Sequence, residues 1–187
     1  MNKSQQLPIR IVSKVVRGFG RGSKDLGIPT ANVSREDGEL SFCSCGSFDS
    51  IPTGIYWGYA RIIFADGSDV GEDTVSGEEV YTAAISCGYN PTYNNEEKTL
   101  EPHLIAAPTH PQRYASSTGE TFFGEFYDTT IVLSVVGYLR PELPFEGLEK
   151  LTQAIKKDIE VACRLSKEVI ATNTEEREWV RLCTPTT

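Results

Sequence analysis

Residues 122 to 140 read FFGEFYDTTIVLSVVGYLR and carry the clearest extended pattern of the chain. Aromatic and β-branched residues dominate this stretch, which is typical of β-strands, and Asp128 is expected to interrupt it. The pattern then changes, because apolar residues recur at three- and four-residue steps on one helical face. These residues are Leu148, Leu151, Ile155, Ile159, Ala162, Leu165 and Val169. The sequence therefore predicts strands followed by one long amphipathic helix.

Four further segments upstream have the composition of strands. They are residues 9 to 17, 54 to 64, 80 to 87 and 99 to 106. Turn-rich or acidic segments separate them, and we interpret residues 35 to 51 and 66 to 78 as loops or insertions. Several short strands separated by turns favour an antiparallel barrel over a βαβ sheet. We therefore expect a mainly β protein.

Length and composition restrict the class of protein. The 187 residues fit a single domain, and 39% hydrophobic with 24% charged residues fits a packed globular protein. The net charge of -8 argues against a nucleic-acid binder, which needs a basic surface. No apolar run approaches the ~20 residues of a membrane helix. The N-terminus lacks the apolar part of a secretory signal, so we expect a cytoplasmic protein with free cysteines and no membrane association.

The stretch RGFGRGSKDLGIPTAN, from Arg17 to Asn32, is the most informative for function. Its alternating Gly18, Gly20 and Gly22 allow backbone N–H groups to converge on an anion, because no Cβ blocks close approach. The spacing fits neither a Walker A motif nor a dinucleotide-binding fingerprint. Taken alone, the glycines are weak evidence for phosphate binding, and a surface turn is the alternative interpretation.

Polar residues beside the glycines strengthen the phosphate hypothesis. Lys24 adds a mobile cation, and Thr30 and Asn32 are two residues apart, so in an extended backbone their side chains point to one side. A hydroxyl and an amide oxygen are ligands that Mg²⁺ accepts together with water and phosphate oxygens. Without further context, the interpretation of both as ordinary turn residues is favoured.

Six motifs, in the same order along the chain, resemble those of riboflavin kinases of the monofunctional eukaryotic type. They are VVRGFGRGSKDLGIPTAN (15–32), TGIYWGYA (53–60), ISCGYNPTYNN (85–95), LEPHLI (100–105), FFGE (122–125) and VGYLRPELPFEGLEKL (136–151). The resemblance implies a six-stranded antiparallel Greek-key β-barrel with one long C-terminal α-helix. It also implies a single domain over residues 1–187, with its core at about 9–170 and a flexible tail at about 172–187.

The same resemblance implies transfer of the γ-phosphate of ATP to the 5′-hydroxyl of riboflavin, which yields FMN and ADP. Mg²⁺ is the implied metal, with Zn²⁺ or Mn²⁺ as alternatives, ATP is the co-substrate, and we expect a monomer. The implied residues are Gly18, Gly22, Lys24 and Thr30 for ATP, Thr30 and Asn32 for the metal, Glu101 as general base, and Arg140, Phe145 and Leu151 for riboflavin or FMN.

Structural interpretations of the same residues, without a role in function, stay open. Glu101 by itself would be a charged residue on a solvent-facing strand, and His103 either orients a substrate or Glu101 or is structural. Phe145 and Leu151 are equally compatible with a core beneath the helix. The alternative function is a flavin-binding or nucleotide-binding barrel without catalysis. The chain lacks the length for a second domain that would convert FMN to FAD.

Overall fold

The computed structural model describes residues 7–17, 32–35, 42–43, 46–64, 80–89, 96–105, 113–116, 119–122, 127–170 and 174–185. The strands in these ranges are β1 (Ile9–Val16), β2 (Asn32–Val33), β3 (Phe42–Cys43), β4 (Gly54–Ile63), β5 (Tyr81–Gly88), β6 (Thr99–Ile105), β7 (Arg113–Ser116), β8 (Gly119–Phe122) and β9 (Thr130–Arg140). The helices are α1 (Leu148–Ile170) and α2 (Glu175–Leu182), and a short 3₁₀ helix covers Phe48–Ser50.

Six of these strands form an antiparallel, nearly closed barrel in the order β2-β1-β9-β4-β5-β6. After the meander of β4, β5 and β6, the chain returns so that β9 lies beside β4, which is a Greek-key arrangement. The strand β2 lies against β6, so the two ends of the sheet meet. The predicted fold class is therefore confirmed. Two elements add to it, because β3 pairs with β1 and β7 pairs with β8.

The strand boundaries follow the sequence pattern closely. The predicted strands at 9–17, 54–64, 80–87 and 99–106 correspond to β1, β4, β5 and β6. The predicted interruption at Asp128 is also confirmed, since its φ of 63° lies in the left-handed region, in the turn before β9. The Asp128 N–H donates to the carbonyl of Val15, which fixes this turn against β1.

Alternate residues of the six barrel strands fill the inside of the barrel. The largest of these buried side chains are Tyr56, Ile9, Ile11, Ile62, Ile85, Leu100, Ile131 and Leu133. Burying one such side chain stabilises the fold by about 1.5–3 kcal/mol. A register slip of one residue would move a whole strand's set to the other face, so the register, and with it the outward face, is firmly fixed.

The long helix α1 covers part of the outer face of the barrel. Its Ile159 and Ala162 are buried in a second apolar cluster with Trp57 and Tyr59 of β4 and Ala84 of β5. The predicted helix and its apolar face are thus confirmed for the middle of α1. The first member of that face departs from the prediction, since Leu148 at the start of the helix is 50% exposed.

Within the segment predicted as a flexible tail, residues Glu175–Leu182 form the helix α2, which packs on the barrel. Val180 is fully buried in the second apolar cluster. Arg10 of β1 donates to Glu176 at 2.7 Å, and the buried Arg61 of β4 donates to the carbonyl of Cys183. Apolar burial and these two contacts together hold α2 on the barrel.

No helix in the ranges described above is long and apolar enough to cross a membrane.

Candidate active site

Glu101 lies on the outer face of the barrel in the middle of β6. Leu100 and Leu104 point into the barrel core, so the alternation of side chains directs Glu101 outward. Glu101 is half-buried, and its register partner on β5 is Ser86. The carboxylate is therefore held on a rigid strand, where neighbouring residues shield it only partly from solvent.

Asn32 lies on the same outer face, at the start of β2. The next residue, Val33, belongs to the barrel core, so Asn32 points outward by the same alternation. Because β2 lies against β6, the predicted metal ligand and the predicted base occupy one side of two adjacent strands.

The other predicted phosphate residues, Gly18, Gly22, Lys24 and Thr30, lie outside the described residues. Their roles stay predictions. Val16 and Asn32, on either side of this segment, are cross-strand partners in the β1–β2 pair. Arg17, the first residue after β1, has its Cζ 4.4 Å from the ring centroid of Tyr127.

His103 follows Glu101 on the same outer face but is only 3% exposed. Its register partner on β5 is Ala84, which belongs to the apolar cluster beneath α1. This burial favours the structural interpretation of His103 over direct contact with a substrate.

Arg140, predicted to bind the flavin, ends β9 and makes a two-pronged ion pair with Asp158 of α1. Its Nε donates to Oδ1 at 2.9 Å and its Nη2 donates to Oδ2 at 2.7 Å. Its Nη1 donates to the carbonyl of Pro141 at 3.1 Å, and its Cζ lies 5.5 Å from the ring centroid of Phe145. The guanidinium is thus held between a carboxylate and an aromatic ring, where a cation–π contact adds to the attraction.

Asp158 was not predicted from the sequence, although the sequence contains a signal for it. On a helix whose apolar face includes Ile155, Ile159 and Ala162, Asp158 lies three residues after the first of these and places a carboxylate on the same side. A charged residue in that position needs a partner, because an unpaired buried charge is costly. The partner, Arg140, is 18 residues earlier in the chain and could not be identified from spacing.

The two other predicted flavin residues flank the start of α1. Phe145 is half-buried, and Leu151 is half-buried in the first turn, where its N–H donates to the carbonyl of Gly147. Gly147 has a φ of 91°, a conformation that favours glycine and lets the chain turn into the helix without an Asp or Ser cap. The structure therefore brings Arg140 and Phe145 close together, while Leu151 lies separately in the first turn of α1.

Glu142 was also not predicted. It joins the chain between β9 and α1 to the end of β5. Its Oε2 accepts a hydrogen bond from the backbone N–H of Tyr89 at 3.1 Å. A Cβ at Gly88 would lie 2.2 Å from the same oxygen, so glycine leaves the space that the carboxylate occupies. Residues 141–147 are consequently anchored at both α1 and β5. We call them the connector segment.

Large apolar side chains are exposed around the connector segment. Among the residues that the structure describes, the exposed large apolar side chains are Tyr89, Tyr138, Leu143, Leu148 and Leu182. Tyr89 directly follows β5, Tyr138 lies near the end of β9, Leu143 belongs to the connector segment and Leu148 is the first residue of α1. The ring of Tyr138 also packs edge-on against Tyr56, with centroids 5.3 Å apart. Exposed apolar side chains of this kind can contact a flat, largely apolar ligand.

Comparisons with known proteins agree with one another. The model of the Flavokinase family, described as riboflavin kinase, matches residues 5–166. Riboflavin kinase of Aspergillus niger is 39% identical over 163 residues, which cover 84% of this chain and 69% of the relative. The Homo sapiens riboflavin kinase is 36% identical over 162 residues, with coverage of 84% and 81%. The crystal structure of riboflavin kinase from Trypanosoma brucei shares the fold, with a TM-score of 0.58, 20% identity and coverage of 98% and 94%.

Proposed function

The chain belongs to the riboflavin kinase family, and we propose that it transfers the γ-phosphate of ATP to the 5′-hydroxyl of riboflavin, forming FMN and ADP. It is an enzyme of the transferase class. The observation that carries the proposal is the position of Asn32 and Glu101 on one outer face of adjacent strands. That arrangement suits a reaction in which a nucleotide phosphate and an alcohol must meet.

Glu101 is the proposed general base. Its carboxylate accepts the proton of the 5′-hydroxyl while the hydroxyl oxygen bonds to the γ-phosphorus, and the bond from that phosphorus to the bridging oxygen of ADP breaks. General-base assistance typically accelerates a reaction about 10²- to 10⁴-fold. A base on the middle of a strand is held in place by the sheet, so the hydroxyl can be aligned with the phosphate.

Thr30 and Asn32 are the proposed ligands of Mg²⁺, with Zn²⁺ or Mn²⁺ as alternative metals. The outward amide of Asn32 fits such an ion, because Mg²⁺ takes oxygen ligands and usually keeps several waters and phosphate oxygens. Within the described residues no group of three or more His, Cys, Asp or Glu side chains could hold a metal. A site made from neutral oxygens and phosphates needs no such group. When bound, the ion would neutralise charge on the triphosphate.

The remaining substrate contacts are proposed on both sides of the place where β2 meets β6. Gly18, Gly22, Lys24 and Thr30 would line the phosphates of ATP, where glycine N–H groups and a lysine match the negative charge. Arg140, Phe145 and Leu151 would receive the isoalloxazine ring. The exposed apolar side chains around the connector segment support this side, because a flat ring needs apolar surface to bind.

The deciding experiment is a product assay by chromatography with riboflavin, ATP and MgCl₂. We expect FMN and ADP in equal amounts. Parallel reactions with other flavins, other nucleoside triphosphates and other metals would establish the preferences. Binding of riboflavin without any FMN would instead support the alternative, a flavin-binding or nucleotide-binding barrel without catalysis.

A cytoplasmic, monomeric enzyme is part of the same proposal. In the described part of the chain, Cys87, Cys163 and Cys183 are reduced thiols, which fits a reducing compartment. Gel filtration of the purified chain and localisation of a tagged chain in cells would test these two points.

A further inference from the structure

The contact between Arg140 and Asp158 lies where the barrel, α1 and the connector segment meet. The side chain of Asp158 is 10% exposed and that of Arg140 is 23% exposed. Removing two charges from water is costly, and apolar residues of similar size often stabilise a protein as well as a buried ion pair does. A contribution to stability is therefore a weak explanation for this pair. Control of the orientation of the Arg140 side chain is a better one.

The pair fixes the orientation of the guanidinium. Nε and Nη2 both point at the carboxylate of Asp158, which sets the plane of the group. Nη1 donates to the Pro141 carbonyl at the start of the connector segment, and Phe145 lies against the guanidinium. Nη1 and Nη2 each carry a second N–H, so the outer edge of Arg140 retains donors for a ligand.

Glu142 holds the same segment from the other side, through the N–H of Tyr89. The segment that carries Phe145 thus contacts Arg140, which Asp158 of α1 holds, and it is tied to the end of β5 by Glu142. A binding surface that is ordered before the ligand arrives loses less conformational entropy on binding.

We infer that Asp158 is a positioning residue for riboflavin: it acts through Arg140 and so fixes the donor edge and the Phe145 ring that receive the flavin. The inference rests on the proposed function, since it assigns the flavin to the Arg140 and Phe145 side. Asp158 does not touch the reacting atoms in this scheme. Its loss should weaken flavin binding and leave the nucleotide side intact.

The test compares full-length wild type, Asp158→Asn, Arg140→Ala and the double variant. We expect Asp158→Asn to raise KM for riboflavin about tenfold while KM for ATP stays within about twofold, because only the flavin side is disordered. In the Arg140→Ala background, Asp158→Asn should raise KM for riboflavin little further, since the effects of residues in one network are coupled. Glu168→Gln is the matched control, because it removes a carboxylate from an exposed ion pair with Arg164 on the same helix.

Three results would overturn the inference. The first is an unchanged KM for riboflavin in Asp158→Asn, and the second is an equal rise in KM for riboflavin and for ATP. The third is a double variant in which Asp158→Asn raises KM for riboflavin as much as it does in the wild type. If Asp158→Asn does not fold, Arg140→Lys gives the same decision, because lysine keeps the charge but lacks the planar fork. An unchanged riboflavin KM in Arg140→Lys would then refute the inference.

A second readout separates this inference from the proposed reaction. Quenching of riboflavin fluorescence measures its Kd without any turnover. A wild type that forms no FMN refutes phosphotransfer, whereas a wild-type Kd in Asp158→Asn refutes positioning. The two failures are therefore distinguishable.

Discussion

The Nη2 atom of Arg10 lies 2.7 Å from Oε1 of Glu176, and this ion pair joins the first strand of the barrel to its last helix. Ser134 of β9 donates to the other oxygen of the same carboxylate at 2.6 Å. The ring of Trp179 lies 5.1 Å from the guanidinium of Arg10. One arginine thus holds both the acidic first turn of α2 and an aromatic side chain of that helix.

This contact predicts a dependence of stability on pH. Burial alone would raise the pKa of Glu176, but hydrogen bonds from Arg10 and Ser134 and the charge of Arg10 outweigh it and lower the pKa. A lowered pKa stabilises the folded state above the unfolded pKa of about 4.3, and the stabilisation is lost as the pH falls through the folded value.

Glu176→Gln should therefore reduce the free energy of unfolding by about 1–2 kcal/mol at neutral pH, and by less as the pH falls below about 4. Urea unfolding at several pH values measures this. The exposed Glu168→Gln serves as control and should stay within about 0.5 kcal/mol of wild type. An equal loss at pH 7 and pH 3 would contradict the assignment.

Glu101→Gln should lower kcat about 10²- to 10⁴-fold, because glutamine cannot accept the hydroxyl proton. The Kd for riboflavin should change less than about threefold, since size and shape are kept. Steady-state rates and flavin fluorescence measure the two quantities. Glu160→Gln, at an exposed position of α1, should have wild-type turnover. A Glu101→Gln enzyme with normal kcat would remove Glu101 from the base role.

Asn32→Ala and Thr30→Ala should each raise the Mg²⁺ concentration needed for half-maximal rate, by about tenfold for the loss of one ligand. KM for riboflavin should stay close to wild type, because neither residue belongs to the flavin side. Titration of the rate with MgCl₂ at saturating riboflavin checks this. Wild-type titration curves for both variants would argue against metal ligation.

Two glycines should respond differently to alanine. A Cβ at Gly58 would lie 1.9 Å from the carbonyl oxygen of Ser134, so β4 and β9 would have to separate. We expect Gly58→Ala to lower the free energy of unfolding by about 3 kcal/mol or more. At Gly88 the obstacle is the mobile end of Glu142. Gly88→Ala should therefore cost less, about 1 kcal/mol, and mainly raise KM for riboflavin.

Thermal unfolding and kinetics of both variants test this difference, and Gly88→Ala/Glu142→Ala provides the control. Removing the Glu142 carboxylate makes room for the new methyl group, so the double variant should be no less stable than Glu142→Ala. A Gly88→Ala protein as unstable as Gly58→Ala would show that the backbone, not Glu142, limits the space.

Some features of this protein were determined by local sequence. The alternation in β1, β4, β5, β6 and β9 and the three- and four-residue steps in α1 place strands and helix correctly, since side-chain periodicity follows directly from backbone geometry. Short strands separated by turns were enough to indicate a barrel. The glycines, Thr30 and Asn32 could be singled out as candidates from their residue types, whereas Glu101 was assigned only through the resemblance to riboflavin kinases.

Contacts between distant residues were decided only by the tertiary structure. Arg10 and Glu176 are 166 residues apart, and no local pattern links them, so the docking of α2 was missed. The position of Asn32 beside the strand of Glu101 depends on the closure of β2 onto β6. The capture of Arg140 by Asp158 depends on how α1 crosses the barrel. Periodicity determines which face a side chain occupies, but the order of the strands and the packing of the helices determine what that face meets.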